Sequence, residues 1–153
     1  MRALLVVASL LLAAHAWAGK NRWTLGFGQG TFEAIVETGS GSSVNIYCPS
    51  GQTDRTPGMF IDVGRVKPKA KERVDVQIIV DGKSHPFALE ENQFQASNRE
   101  TFNSLSSLVV ALAKSKGKTF KVEFPKFGMA ETFPLLGAKK TFKSAKDFLD
   151  DCK

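Results

Sequence analysis

Between Arg73 and Leu89 the chain alternates apolar and polar residues, interrupted by Asp81-Gly82. On an extended backbone successive side chains point to opposite faces, so Val74, Val76, Ile78 and Val80 share one side. Asp-Gly between two such runs predicts a two-residue hairpin turn. Phe87 and Leu89 continue the buried face on the return strand. Pro86 cannot donate to a ladder, which predicts that the return strand lies at a sheet edge. Two strands with one buried face and a tight turn call for an antiparallel sheet.

The same alternation recurs upstream. Phe32, Ala34 and Val36 share one face of Thr31 to Thr38, and Val44, Ile46 and Cys48 share one face of Ser43 to Cys48. Gly39-Ser40-Gly41-Ser42 supplies the turn between them. Met59 to Val66 reads as a further strand. Ser97-Asn98-Arg99-Glu100 matches a capping box. Beyond it Phe102, Leu105, Leu108, Val109 and Leu112 lie on one face of a helix that stops near Gly117. Lys118 to Phe124 and Ala130 to Leu135 follow as antiparallel partners, with Pro134 limiting their pairing. From Gly137 to Cys152, the residues Ala138, Phe142, Ala145, Leu149 and Cys152 are spaced as one helical stripe. Strands followed by helices predict an α+β fold, an antiparallel sheet curved into a sandwich or half-barrel with two packed helices.

The amino terminus carries a different signal. Met1-Arg2, an apolar run from Ala3 to Ala14 and Ala16-Trp17-Ala18 form the three parts of a secretory signal peptide. The run is shorter than the roughly 20 apolar residues that a membrane span requires, although an uncleaved anchor is the competing reading. Cleavage after Ala18 would leave residues 19–153 as a single α+β domain, periplasmic or secreted, with no transmembrane segment. Cys48 and Cys152 each fall on the inward face of their element. An oxidising compartment then predicts one disulfide from the second strand of the first hairpin to the final helix. In the chain-entropy picture a closed loop of about 100 residues contributes about 4.7 kcal/mol, less any strain. Two buried thiols are the alternative.

Sites of chemistry are sparse. The formal net charge is +6, one less without Arg2, which favours acidic partners but not nucleic acid. Once His15 leaves with the leader, His85 is the remaining histidine, either a general base beside Ser84 or a solvated turn residue. Glu90-Glu91 and Asp150-Asp151 are neighbours in sequence and point apart, so they read as ends of elements. Glu123 completes the short set of candidates for a small hydrolase. Gly26, Gly28 and Gly30 precede a strand rather than a helix, which disfavours a phosphate cradle and suggests bulges or close strand crossings. No catalytic, metal or cofactor residue is assigned, and the expectation is a protein that is not an enzyme. The distinctive surface feature is a cation at every second position, Arg65, Lys67, Lys69, Lys71 and Arg73. On extended backbone they would form one row, a candidate site for an anion or a protein partner. A solvated loop around Pro68 is the alternative.

The order of Trp23, the strand ending in Cys48, Val80-Asp81-Gly82, a leucine-faced helix, Phe120 to Phe124, Thr132 to Ala138 and a terminal helix ending in Cys152 resembles the type VI secretion-associated VasI family. It resembles the invasion-associated locus B family more distantly, whose closely spaced cysteine pair is absent here. Both resemblances imply a β-rich periplasmic domain without enzymatic activity. The function expected is a non-catalytic binding or accessory protein contacting another envelope or secreted protein. An inhibitor or immunity protein that blocks a secreted hydrolase or toxin is the alternative, and binding of anionic lipid or lipopolysaccharide a lesser one.

Overall fold

A computed structural model of the chain describes residues 20–49, 56–143 and 148. The expected leader, residues 1–18, and Cys152 lie outside these residues. Nine strands form one antiparallel sheet: β1 Thr24–Gly28, β2 Thr31–Glu37, β3 Ser43–Pro49, β4 Gly58–Asp62, β5 Arg73–Val80, β6 Lys83–Glu90, β7 Gln93–Gln95, β8 Thr119–Phe124 and β9 Met129–Pro134. Helix α1, Arg99–Lys114, joins β7 to β8, and a short helix α2, Ala138–Thr141, follows β9. The strand order is β1-β2-β3-β4-β7-β6-β5-β8-β9. The fold is therefore α+β, with an antiparallel sheet that is not closed.

Three hairpins turn on two residues, each pair in the left-handed region: Gln29-Gly30, Asp81-Gly82 and Glu91-Asn92. Such turns match the right-handed twist of the strands they join. Asp81-Gly82 is the one that its residues announced. Glu91-Asn92 joins β6 to a strand of three residues, too short to show alternation, and so β7 went unpredicted.

Five expectations are corrected by the structure. The sixth strand lies inside the strand order rather than at an edge. It nevertheless meets β7 at Glu90↔Gln93 alone, so among the described residues its far side from Lys83 to Leu89 has no strand partner and Pro86 breaks no ladder. The expected strand from Met59 to Val66 ends at Asp62. Helix α1 is capped by Asn98, one residue after the expected position, with a capping box completed by Thr101 instead of Glu100. Gly26 and Gly28 lie in β1, which pairs residue for residue with β2 and has no bulge. A Cβ at either would meet nothing within 4 Å, so no close crossing explains them. Finally, α2 stops at Thr141. Ala138 and Phe142 are buried as expected, but Phe148, off the expected stripe, is buried too. Phe148 is again helical, and Ala145, Leu149 and Cys152 of the expected stripe lie outside the described residues.

The core is continuous from one end of the sheet to the other. Trp23 precedes β1 and stands 6.0 Å from Phe120 and 5.1 Å from Phe142, ring centre to ring centre. Its backbone N–H donates to Leu136 O at 2.8 Å. This bond draws the start of β1 to the end of β9, although the two strands sit at opposite ends of the order. Gly137 makes the approach possible. It adopts φ +88°, and a Cβ there would sit 2.7 Å from Trp23 O.

Candidate interaction surfaces

The five cations of Arg65 to Arg73 remain exposed, but they do not form a row. Alternation puts side chains on one side of the backbone only if that backbone is extended. Here turns fall at residues 64–65 and 70–71, and Lys71 takes φ 60°. Val63 and Val66 are buried and pin the loop to the core. Arg65 reaches Glu131 on β9 at 2.7 Å. Within the same loop Glu72 accepts from the Lys69 backbone N–H at 2.6 Å and from Lys126 at 2.5 Å. Its carboxyl is held below the usual range, first by the Lys126 bond and then by the Lys69 bond. Lys71 and Arg73 line a cavity of about 600 Å³. Glu90 and Glu91 line it as well, so the local field is mixed rather than cationic.

The two outer strands differ in how they treat water. Glu131 on β9 is bound by Arg65 and by Ser40 Oγ at 3.1 Å, which brings the β4–β5 loop and the β2–β3 turn over that edge. Among the described residues no comparable side-chain bond covers β1, and its sequence, Thr-Leu-Gly-Phe-Gly, contains no charge and no proline. Leu25 is 52% and Phe27 62% exposed. Both share a face with Ala34 and Phe32, their partners on β2, and the Phe27 and Phe32 rings lie 4.7 Å apart. Proteins usually blunt an edge strand with charge, proline or a bulge. β1 uses none of these.

On the opposite sheet face, Tyr47 and Phe60 pair at 5.4 Å. Gln93 donates to the Tyr47 hydroxyl at 2.5 Å. Burial pushes that phenol above its usual range, with the Gln93 bond opposing the shift. The ring occupies the space that a side chain on Gly58 would take: a Cβ there would lie 2.3 Å from Tyr47 Oη.

His85 is not a solvated turn residue. It is 5% exposed, on the same side of its strand as Phe87 and Leu89, and its Nε2 finds no hydrogen-bond partner. Burial, and to a smaller degree the Lys83 ammonium, pushes its pKa below the usual value. Ser84 does not bond to it; its hydroxyl donates to Gln77 Oε1 at 2.5 Å. Glu123 stands beside Lys121 at 3.3 Å on a different strand. The hydrolase candidates His85, Glu90 and Glu123 thus do not line one common cavity among the described residues. No group of three or more metal-ligating side chains occurs among those residues, and none of their helices is long and apolar enough to cross a membrane.

Cys48 is fully buried at 0% exposure, beside Phe32 in register. Neither the edge strand nor the His85 environment was legible in sequence. The signal for β1 was a charge-free pair of apolar residues flanked by glycines, which read as irregular.

A curated protein similar to this chain is a sterol 3-beta-glucosyltransferase of Neosartorya fischeri, 28% identical over 101 residues. The match covers 65% of this chain but 7% of that protein's length. No solved structure matches. Residues 21–142, from the turn before β1 to the residue after α2, match one protein family across the whole described sheet, and the chain belongs to the YfjT family.

Proposed function

We propose that this protein is a non-catalytic, exported binding module that recognises another envelope or secreted protein by adding a partner strand to β1. The observation that carries the reading is the unprotected edge, with Leu25 and Phe27 exposed on it. Strand addition supplies affinity through backbone hydrogen bonds and specificity through alternate side chains. The two apolar side chains would anchor the partner, and Gly26 and Gly28 would let its backbone approach. The resemblance to VasI-like proteins, carried by Trp23 and by the elements from the strand ending in Cys48 onward, supports the idea of a β-rich exported binding domain.

The test is capture of a partner from an oxidised envelope extract by the full chain and by Leu25→Lys and Phe27→Lys variants. Loss of one buried aromatic anchor, about 2 kcal/mol, predicts roughly thirtyfold weaker binding of the recovered partner. Unchanged capture by both variants, or no partner at any salt concentration, would sink the proposal. A partner that proves to be a hydrolase or toxin would move the assignment to the inhibitor class with the surface unchanged.

A covalent bond between Cys48 and Cys152 belongs to the same reading. Its support is the complete burial of Cys48, the absence of any free cysteine among the described residues and the export signal. Thiol titration of denatured, unreduced protein from its native compartment is expected to find no reactive sulfur. Two reactive sulfurs would refute both the bond and the oxidising location.

A further inference from the structure

We propose that the groove between β6 and α1 is a binding site for a phosphoryl group, held between Lys83 and Lys114. Two hollows of about 390 and 410 Å³ lie along this groove and share Lys83, His85, Asn103 and Ser107. They exist because β7 leaves the far side of β6 unpaired, so that a helix rather than a strand lies beside it. The buried residues of α1 are Leu105, Leu108, Val109 and Leu112. Its Asn103, Ser107 and Lys114 line the groove.

Two polar atoms in this wall are unusual. His85 Nε2 and Ser106 Oγ are both buried and both lack a hydrogen-bond partner. Buried polar atoms are rarely left so, and each such case calls for a ligand, a water or a role. Here the two side chains that carry the orphans line the same hollow, with an ammonium contributed by each wall, Lys83 from the strand and Lys114 from the helix. A cation would be repelled by both lysines, and an apolar group would leave both orphans unpaired. With the His85 ring and the Ser106 hydroxyl turned into the hollow, a tetrahedral oxyanion would satisfy all of them at once. It accepts from an imidazole N–H, from serine hydroxyls and from ammonium groups, and bonds of this charge-assisted kind are the strong ones. The titratable groups that line the groove are Lys83, Glu100, Lys114 and His85 itself. Glu100 lines the other hollow, which lacks Lys114 and Ser106, and this places the anion in the hollow on the Lys114 side. The site makes no use of β1, so it stands or falls apart from the strand-addition reading.

The test follows the imidazole resonances of His85 in the full, oxidised chain while inorganic phosphate is titrated against chloride of equal ionic strength. Saturable phosphate binding is expected, with the imidazolium stabilised and the His85 pKa raised. The Lys83→Ala and Lys114→Ala variants should each bind about tenfold more weakly, the loss of one charge-assisted hydrogen bond, while their thermal unfolding without ligand stays unchanged. A second arm measures sedimentation with phosphatidylglycerol vesicles. Vesicle binding that needs both lysines, with free phosphate inert, would assign the phosphoryl group to a lipid headgroup. Phosphate that acts no differently from chloride, together with vesicle binding indifferent to both lysines, would overturn the proposal.

Discussion

Replacing Trp23 by alanine is expected to destabilise the protein by about 3–5 kcal/mol, the range for removing a large buried aromatic side chain. Trp23 is 2% exposed and, near the start of the chain, touches two rings from its last third. Phe120 comes from β8 and Phe142 from the end of α2. The side chain is thus the packing counterpart of the backbone bond from Trp23 to Leu136 that draws β1 toward β9. Loss of the ring leaves a cavity that Phe120, itself stacked on Phe133 at 5.3 Å, cannot fill without leaving its own partner. Trp23→Phe sharpens the test. The indole Nε1 is buried without a hydrogen-bond partner, so phenylalanine keeps most of the apolar contact and removes an unsatisfied donor. Urea unfolding should therefore rank wild type and Trp23→Phe close together and Trp23→Ala far below. Equal losses for the two variants would show that the ring contacts are not what holds the ends of the sheet.

The second large effect is expected at Gly58, the first residue of β4. A Cβ there would lie 2.3 Å from Phe94 O and 2.3 Å from Tyr47 Oη. Tyr47 can swing its ring aside, but Phe94 O belongs to the backbone of β7, the strand paired with β4. Alanine at this site therefore forces the two strands apart at a short link in the sheet, where three residue pairs connect β4 to β7. Overpacking of this kind costs about 1–3 kcal/mol. The double variant Gly58→Ala, Tyr47→Ala separates the two obstacles. If the backbone oxygen dominates, removing the ring recovers little, and denaturation midpoints show a near-additive pair. Full recovery in the double variant would place the conflict in the tyrosine ring instead.

Much of the architecture can be traced to short-range pattern. The alternation of Val74 to Val80 and the Asp81-Gly82 turn place β5 and β6 in register before any tertiary contact is considered, because period and turn type are local properties. The buried face of α1 was equally legible, since 3.6-residue spacing fixes which side chains share a face. The capping box was misplaced by one residue because Asn98 and Thr101 offer the same donor and acceptor geometry as Ser97 and Glu100. The strand β1 was missed for a different reason. Its glycines suppress the strand signal, and only pairing with β2 makes it a strand at all. In the terminal element the first two residues of the expected stripe, Ala138 and Phe142, are buried. Helix α2 ends at Thr141, while Phe148 is again helical and packs against Phe142 at 5.4 Å. The rest of the stripe lies outside the described residues.

The candidate sites were harder to read because they depend on distances between elements. The cation row rested on an extended backbone that turns and buried valines do not allow. His85 stands beside a turn in sequence, yet the helix that covers it begins fourteen residues later, and nothing local reports that burial. The exposed edge is also a property of the whole sheet, since a strand becomes an edge only when every other strand has found its neighbours. Composition and pattern by themselves determined the α+β class, the inward faces and the hairpin between β5 and β6, because those follow from dihedral preference and hydrophobic period. The tertiary structure alone decided which strand was left unpaired, which charges were neutralised and which polar atoms were sealed from water, because each is an outcome of long-range packing that no window of neighbouring residues contains.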